Sequence, residues 1–308
     1  MMKKTSLILV VILLSLTACK LDSWLGYETV EPSKLYTITV GPTITPAETA
    51  TPTRDPNVTP SPVPTLGLGS TKISPVDGMT MVYIPAGEFY MGGYKDSDEV
   101  PIHMVFLNPY WMDQTEVTCG QFMKFADETG YKKSGYAGGQ CGRGEDHPAR
   151  VSWDAAQAYC QWAERRLPTE AEWERAARGG LERKKYPWGD EPPVCEAGAE
   201  NGAMFYDGDK CNVTGTAPVK SYQPNGFGLY DMAGNASEWV FDWYGENYYE
   251  LAQQEGTAYD NPRGPETGNF RVYRGGSYRS DADALRNASR DGMPVQNFFG
   301  FRCAADAP

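Results

Sequence analysis

Residues Thr216 to Trp243 read TAPVKSYQPNGFGLYDMAGNASEWVFDW, dense in glycine, asparagine, carboxylates and tryptophan and without a sustained helical or strand period. A loop of this kind, once buried, must find a partner for every backbone amide and carbonyl. Asp231, Asn235 and Glu238 bring oxygens, while Gly234 and Ala236 leave their carbonyls uncrowded. All-oxygen ligands suit a hard cation, Ca²⁺ above all. The same residues also suit an ordinary tight turn fixed by Asn and Asp side chains, and the spaced acidic loop of an EF-hand is missing.

Working outward, three short helices are expected. Thr118-x-x-Gln121 is a capping box whose helix ends at Gly130, with Phe122, Phe125 and Ala126 facing inward. Ser152 caps a second, in which Ala155, Ala156, Tyr159, Cys160 and Ala163 recur at helical spacing. Pro168-Thr169-x-x-Glu172 starts a third that carries Ala171, Trp173 and Ala176. Short apolar runs, Met81 to Ile84 and Arg271 to Arg274, are broken by glycine-bearing turns and read as strands. The pattern is α+β with much irregular structure.

Several segments lie around that loop in a definite order: Met81-Val-Tyr-Ile-Pro-Ala-Gly-Glu-Phe89 with Met91-Gly92, Trp111-Met-Asp-Gln-Thr-Glu-Val117, His147-Pro148 leading to Val151-Ser-Trp153, and Ala158-Tyr-Cys-Gln-Trp162. Arg166-Leu-Pro-Thr-Glu-Ala-Glu-Trp-Glu174, Tyr186-Pro-Trp-Gly189, Arg274-Gly-Gly-Ser-Tyr278 and Gly300-Phe-Arg-Cys303 complete the series. Together they resemble the formylglycine-generating enzyme, or sulfatase-modifying factor, family over about residues 75–307. The resemblance implies that family's fold, a complex relative of the C-type lectin fold. It also implies a Ca²⁺ loop at Asp231, the Gly234 and Ala236 carbonyls, and Glu238. A second family Ca²⁺ position falls at Asn201, with the Gly202 carbonyl, and lacks a clearly aligned acidic partner near Cys211.

The N-terminus supplies an address. Lys3 and Lys4 precede a short apolar run, Ser6 to Leu16, too brief to span a bilayer. Leu16-Thr-Ala-Cys19 matches a bacterial lipobox, so residues 1–18 read as a lipoprotein signal peptide and Cys19 as the lipidated residue. Two acyl chains suffice for stable anchoring, which places the protein in the bacterial cell envelope on the extracytoplasmic side. Residues 19–35 follow the anchor, and the Thr/Pro-rich segment 36–70 forms an extended spacer of about 3 Å per residue. The domain occupies 71–308. A net charge of −12 argues against nucleic acid and against an anionic membrane surface as the main partner. Eight Trp, 19 Tyr and 33 Gly describe a loop-rich domain whose core leans on rings.

Seven cysteines less Cys19 leave six, an even number in an oxidising compartment. Six allow fifteen connectivities, and spacing does not choose among them. The family resemblance implies one bridge, Cys160–Cys303. Cys119 and Cys141 bracket one helix-and-loop unit, and Cys195 and Cys211 share one polar segment, so we expect these as the other two pairs. A metal cluster is disfavoured, because C-x-x-C spacing is absent and only two histidines exist.

In formylglycine-generating enzymes, two cysteines after the Gly-Gly-Ser signature bind copper as thiolates, which suit soft Cu(I). Here Ser277 matches the signature serine, Ser280 stands at the first cysteine position, and the second falls in Asp281 to Asn287, which contains no cysteine. Ser237 stands where the family usually has tryptophan. Copper and the family's oxidase reaction are therefore not expected. His103 and His147 fall short of the three-histidine set of iron-dependent relatives and read as core or loop residues. Asp281, Asp283, Arg286 and Arg290 read as a surface ion-pair loop. The expectation is a membrane-anchored binding or accessory module that presents an aromatic, acidic cleft to a peptide, glycan or neighbouring protein. The alternative is a superfamily oxidoreductase with a non-standard active site, as in siderophore-maturation relatives that also lack the cysteine pair.

Overall fold

Residues 66–131, 141, 143–208, 211, 214–256 and 259–308 are described by the computed structural model. The signal peptide, Cys19, residues 19–35 and all but the end of the 36–70 spacer lie outside them. Three strand groups carry the domain. The first is a four-stranded antiparallel sheet of β1 (Thr71–Ile73), β2 (Thr80–Ile84), β5 (Tyr110–Asp113) and β10 (Ala304–Asp306), in that order. Its centre aligns Val82 with Met112 and Met112 with Ala304. Every residue of β5 is buried, because the strand is covered on both faces. A ribbon of β3 (Gly87–Met91) and β4 (His103–Leu107) forms the second group.

The third group positions the site. It orders β8 (Arg290–Met293), β7 (Arg271–Arg274), β6 (Glu238–Trp243) and β9 (Gly300–Phe301). The β6–β9 pair is parallel, with Glu238 opposite Gly300, and this carries Arg302 up beside Glu238.

The helices begin and end where the caps predict. α1 (Cys119–Thr129) has a reciprocal capping box between Thr118 and Gln121 and stops at Gly130. In α2 (Trp153–Trp162) the amide of Ala155 donates to Ser152 Oγ. α3 (Glu170–Arg178) has a capping box between Thr169 and Glu172 and stops at Gly179. A fourth helix, α4 (Tyr248–Glu255), has no side-chain cap at its start and was not anticipated.

Phe122, Phe125, Tyr159, Trp239 and Phe301 form one aromatic core around Cys160 and Cys303. Burying each such ring contributes about 1.5–3 kcal/mol. The expected bridges are all present: Cys119–Cys141, Cys160–Cys303 and Cys195–Cys211, with Cα separations of 5.5, 5.6 and 5.5 Å. A second core packs Trp173 and Ala176 of α3 against Val82, Val105, Val240 and Val272. All nine residues of α3 are buried, including Glu170, Glu174, Arg175 and Arg178. A helix so rich in charge reads as a surface element from composition, yet it runs through the middle of the domain.

Candidate functional site

The signature turn begins at Gly275 and Gly276, with φ of 87° and 66°. A Cβ on Gly276 would sit 2.9 Å from the Ala284 carbonyl, so only glycine fits this left-handed pair. The turn folds Ser277 onto Ser280. The Ser277 amide donates to Ser280 Oγ at 3.0 Å, the two hydroxyl oxygens lie 3.3 Å apart, and the Arg279 amide donates to Ser277 Oγ at 3.2 Å. Ser280 is thus at the centre of the turn, next to Ser277, and presents a hydroxyl where the family resemblance implies a thiolate.

Ser280 lines a cavity of about 310 Å³ together with Asp281, Asp283, Arg286 and Arg290. The surface ion-pair reading holds for only part of this loop. Asp283 pairs with exposed Lys95, and Asp281 Oδ1 accepts the amides of Asp283 and Ala284. The two arginines are not surface residues. Arg286 is buried and pairs with Glu99 at 2.7 Å and Asp96 at 2.8 Å, and Arg290 is buried on Glu170 at 2.7 and 2.8 Å. The carboxylates that pair with them, Asp96, Glu99 and Glu170, lie more than 100 residues away in sequence, which is why a local window shows only a charged loop. The lining of this cleft sets four carboxylates, Asp96, Asp281, Asp283 and Asp291, against three arginines, Arg274, Arg286 and Arg290.

Beneath the cavity the charges form a buried chain. Glu174 accepts from Arg178 at 2.6 Å and from Arg274 at 2.6 Å, and Glu170 holds Arg290. Burial disfavours the charged form of Glu170, but Arg290 and Arg274 outweigh it and hold the carboxyl below its ordinary range. This chain fixes the strand that carries the signature.

The Asp231–Glu238 loop lies directly against the signature. The Gly234 amide donates to the Gly275 carbonyl at 2.8 Å, and Tyr278 N to Asn235 O at 3.0 Å. Gly234 has φ 82°, and a Cβ there would meet the Met204 carbonyl at 2.4 Å, within covalent-clash range. Asp231 and Asn235 also take the left-handed region, both at φ 56°. Asn235 is spent on the protein: its amide donates to Glu116 at 2.7 Å and its carbonyl accepts from Ala217 N at 2.8 Å. Glu116 also accepts the Ala236 amide at 2.9 Å. Sequence reading passed over Glu116, although it sits inside the quoted Trp111–Val117 segment, because its burial shows only in the fold.

The residues expected to hold Ca²⁺ are brought together here. Asp231 Oδ2 accepts the Lys220 amide at 2.8 Å. Glu238 accepts from Trp173 Nε1 at 2.8 Å and from Arg302 at 2.8 and 2.6 Å. A carboxylate offers about four acceptor sites, so Glu238 keeps one and Asp231 keeps most of its own. Charge supports a cation as well. Asp231, Glu238 and Glu116 are buried as one group with Arg302 in contact as the paired cation. Burial, offset in part by the Lys220 amide and Arg302, pushes Asp231 up to about 6. Burial and then the charges of Asp231 and Glu238 push Glu116 well above its ordinary value. Among the described residues no group of three or more His, Cys, Asp or Glu side chains is placed to hold a metal ion, so a Ca²⁺ here would depend on the Gly234 and Ala236 carbonyls as well as on the carboxylates. Asn201 is used differently, with its side chain donating to the Pro192 carbonyl at 2.7 Å and its own carbonyl accepting from Val194 N at 3.0 Å.

The histidines are satisfied locally: His103 Nδ1 lies 2.8 Å from the Pro101 carbonyl, and His147 Nδ1 lies 3.0 Å from Thr216 Oγ1. Ser237 is buried beside Glu238.

Residues 69–307 match the sulfatase-modifying factor enzyme 1-like domain family. The chain belongs to that family. Among curated relatives of this sulfatase-modifying-factor-like protein, the formylglycine-generating enzyme of Thermomonospora curvata is 35% identical, covering 73% of this chain and 93% of the relative. A Bos taurus protein named inactive C-alpha-formylglycine-generating enzyme 2 is 30% identical over 74% of this chain and 89% of its own. The serine/threonine-protein kinase pkn1 of Chlamydia caviae is 37% identical over 73% of this chain, and the match spans only 37% of that relative's length. Among solved structures, PvdO from Pseudomonas aeruginosa superposes with a TM-score of 0.65 at 27% identity, covering 79% of this chain and 100% of PvdO. Treponema denticola variable protein 1 gives a TM-score of 0.59 at 25% identity, covering 77% and 99%. The mixed α+β fold of this family member is thus the expected one.

Proposed function

We propose that this protein is a binding or accessory module of the cell envelope, held to the membrane by a lipid on Cys19, and that it does not oxidise protein cysteines. One observation carries the reading: the signature turn pairs Ser277 with Ser280, while Cys119, Cys141, Cys160, Cys195, Cys211 and Cys303 are all closed in disulfides. Two hydroxyls are hard, poorly ionised donors and do not replace two thiolates on Cu(I). A relative whose name calls it inactive supports the same direction. The ligand of such a module is a peptide, a glycan or a neighbouring protein met outside the membrane.

Asp231, Glu238 and the Gly234 and Ala236 carbonyls would hold a structural Ca²⁺. The ion would neutralise the buried carboxylates and fix the loop that abuts the signature. It is assigned no step in any reaction.

Two measurements test the proposal. After copper loading, oxygen uptake with a Cys-x-Pro-x-Arg peptide should not exceed that of buffer; uptake that depends on the peptide would overturn the non-oxidase reading. In cells, Cys19→Ala should leave the precursor uncleaved and unlabelled by radioactive palmitate, whereas cleavage at the same bond would indicate an ordinary signal peptide. A second reading, an oxidoreductase with a non-standard site, is favoured by the near-full-length match to the Thermomonospora curvata enzyme. Peptide-dependent oxygen uptake would establish it.

A further inference from the structure

A second cavity, of about 630 Å³, shares only Asp283 and Arg286 with the first. Its volume lies within the roughly 300–1,000 Å³ of small-molecule sites. In a chain of net charge −12, six of its thirteen lining residues are cations. Two of them are neutralised at the rim, Lys95 by Asp283 and Lys184 by Asp190 at 2.6 Å. Arg183 and Lys185 are different: among the described residues neither makes an ion pair with a carboxylate. Arg183 is nonetheless held in place, its guanidinium 4.1 Å from the centre of the Tyr90 ring. Such an anchored planar donor loses little freedom when it meets an anion. At the floor, buried Arg286 spends its two terminal nitrogens on Glu99 and Asp96, while its Nε has no hydrogen-bond partner.

The cavity is also partly apolar. Ile102 and Ala288 line it, and Tyr94 stands at its rim with 78% of its surface exposed. An exposed ring beside unpaired cations is the pattern of a site that takes an anionic group and an attached apolar body. An extended polyanion fits poorly, because the net charge of the whole molecule repels it. A small anion feels mainly the nearest charges, since screening reduces the rest beyond about 8 Å.

We propose that this cavity binds a small organic anion, its charged group held by Arg183 and Lys185 and its apolar part laid against Tyr94, Ile102 and Ala288. The site stands whether or not the signature turn has any chemistry, because neither Ser277 nor Ser280 lines it.

The test uses the purified full-length protein and naphthalenesulfonate as probe, read by titration calorimetry. The wild-type protein binds saturably, and the affinity falls as salt is raised. Arg183→Gln weakens binding about tenfold, on the usual strength of a hydrogen bond to a charged group. Adding Lys185→Gln weakens it further. Both side chains are exposed, so the variants should fold, and an unchanged melting temperature checks this. Arg263→Gln, an exposed cation on another face, leaves the affinity unchanged. Absence of saturable binding by the wild-type protein overturns the proposal. So does equal binding of neutral naphthalenemethanol, or a loss with Arg263→Gln as large as that with Arg183→Gln.

Discussion

Two loops rich in the same polar residues touch each other and do opposite things. The Asp231–Glu238 loop is buried and tied to distant elements: Glu116, Arg302, Trp173 and the Lys220 amide bond its side chains, and only Asp231 and Glu238 keep acceptor sites. The Gly275–Arg290 segment, joined to it by the Gly234–Gly275 and Tyr278–Asn235 bonds, opens onto a cavity with Ser280 and Asp283 on its wall. Composition does not separate a structural loop from an available one; the partners supplied by distant strands do. In this fold the parallel β6–β9 pair brings Arg302 to the first loop, while the hydrogen bonds of the Ser280 side chain stay within its own turn.

The largest effect should come from breaking the buried loop. Arg302→Met leaves Glu238 buried without its cation, next to Glu116 and Asp231, and should cost about 3–5 kcal/mol in urea unfolding. Adding Glu238→Gln should recover part of that loss. A single-variant cost under about 1 kcal/mol would mean that the loop is not held by this pair.

Metal linkage comes next. An ion that binds only the folded state stabilises by about 2.7 kcal/mol at a hundredfold excess over its Kd. Chelation should therefore lower the melting temperature, and Glu238→Ala should remove that response. The effect has a pH signature. Asp231 titrates in the fold at about 6, above its ordinary value of 3.8. The metal-free fold thus keeps a proton that the unfolded chain has already lost. Its contribution is present below the ordinary value and is lost as pH rises through about 6. The Ca²⁺-dependent shift should accordingly be larger near neutral pH than at about pH 5. A shift that is absent, or that grows on acidification, leaves the tight-turn reading of this loop.

Much of this was legible in the sequence, and the limits are instructive. Thr118, Ser152 and Thr169 act as caps through bonds to neighbours three residues on, so local spacing sufficed to place three helices. The Arg271–Arg274 strand was likewise readable, whereas the Cys160–Cys303 bridge came only from the family resemblance. Glu170, Arg286 and Arg290 were not, because their charge partners come from other elements, and the local Glu174–Arg178 pair is buried only once Arg274 and the Gly92 carbonyl close over it. Charge in a short window signals solvent unless the opposite charge is known to arrive from afar. α4 was missed because its N-cap, Asn247, makes no side-chain cap bond and it fully buries only Tyr249 and Ala252, with Tyr248 partly buried.

The smallest effect is expected at the open segment. Ser280→Ala removes a hydroxyl whose partners lie within its own turn, so stability should change by no more than about 0.5–1 kcal/mol. A larger loss would mean that the turn is as closed as its neighbour.

The most direct measurement combines two readings from one sample of full-length protein. Alkylation without reduction, followed by mass mapping, counts free thiols among Cys119, Cys141, Cys160, Cys195, Cys211 and Cys303. The same copper-treated protein is then mixed with a Cys-x-Pro-x-Arg peptide, and mass spectrometry reads whether the peptide thiol becomes an aldehyde. The account predicts six protected cysteines and an unchanged peptide. Two alkylated cysteines together with a formylglycine product would contradict it.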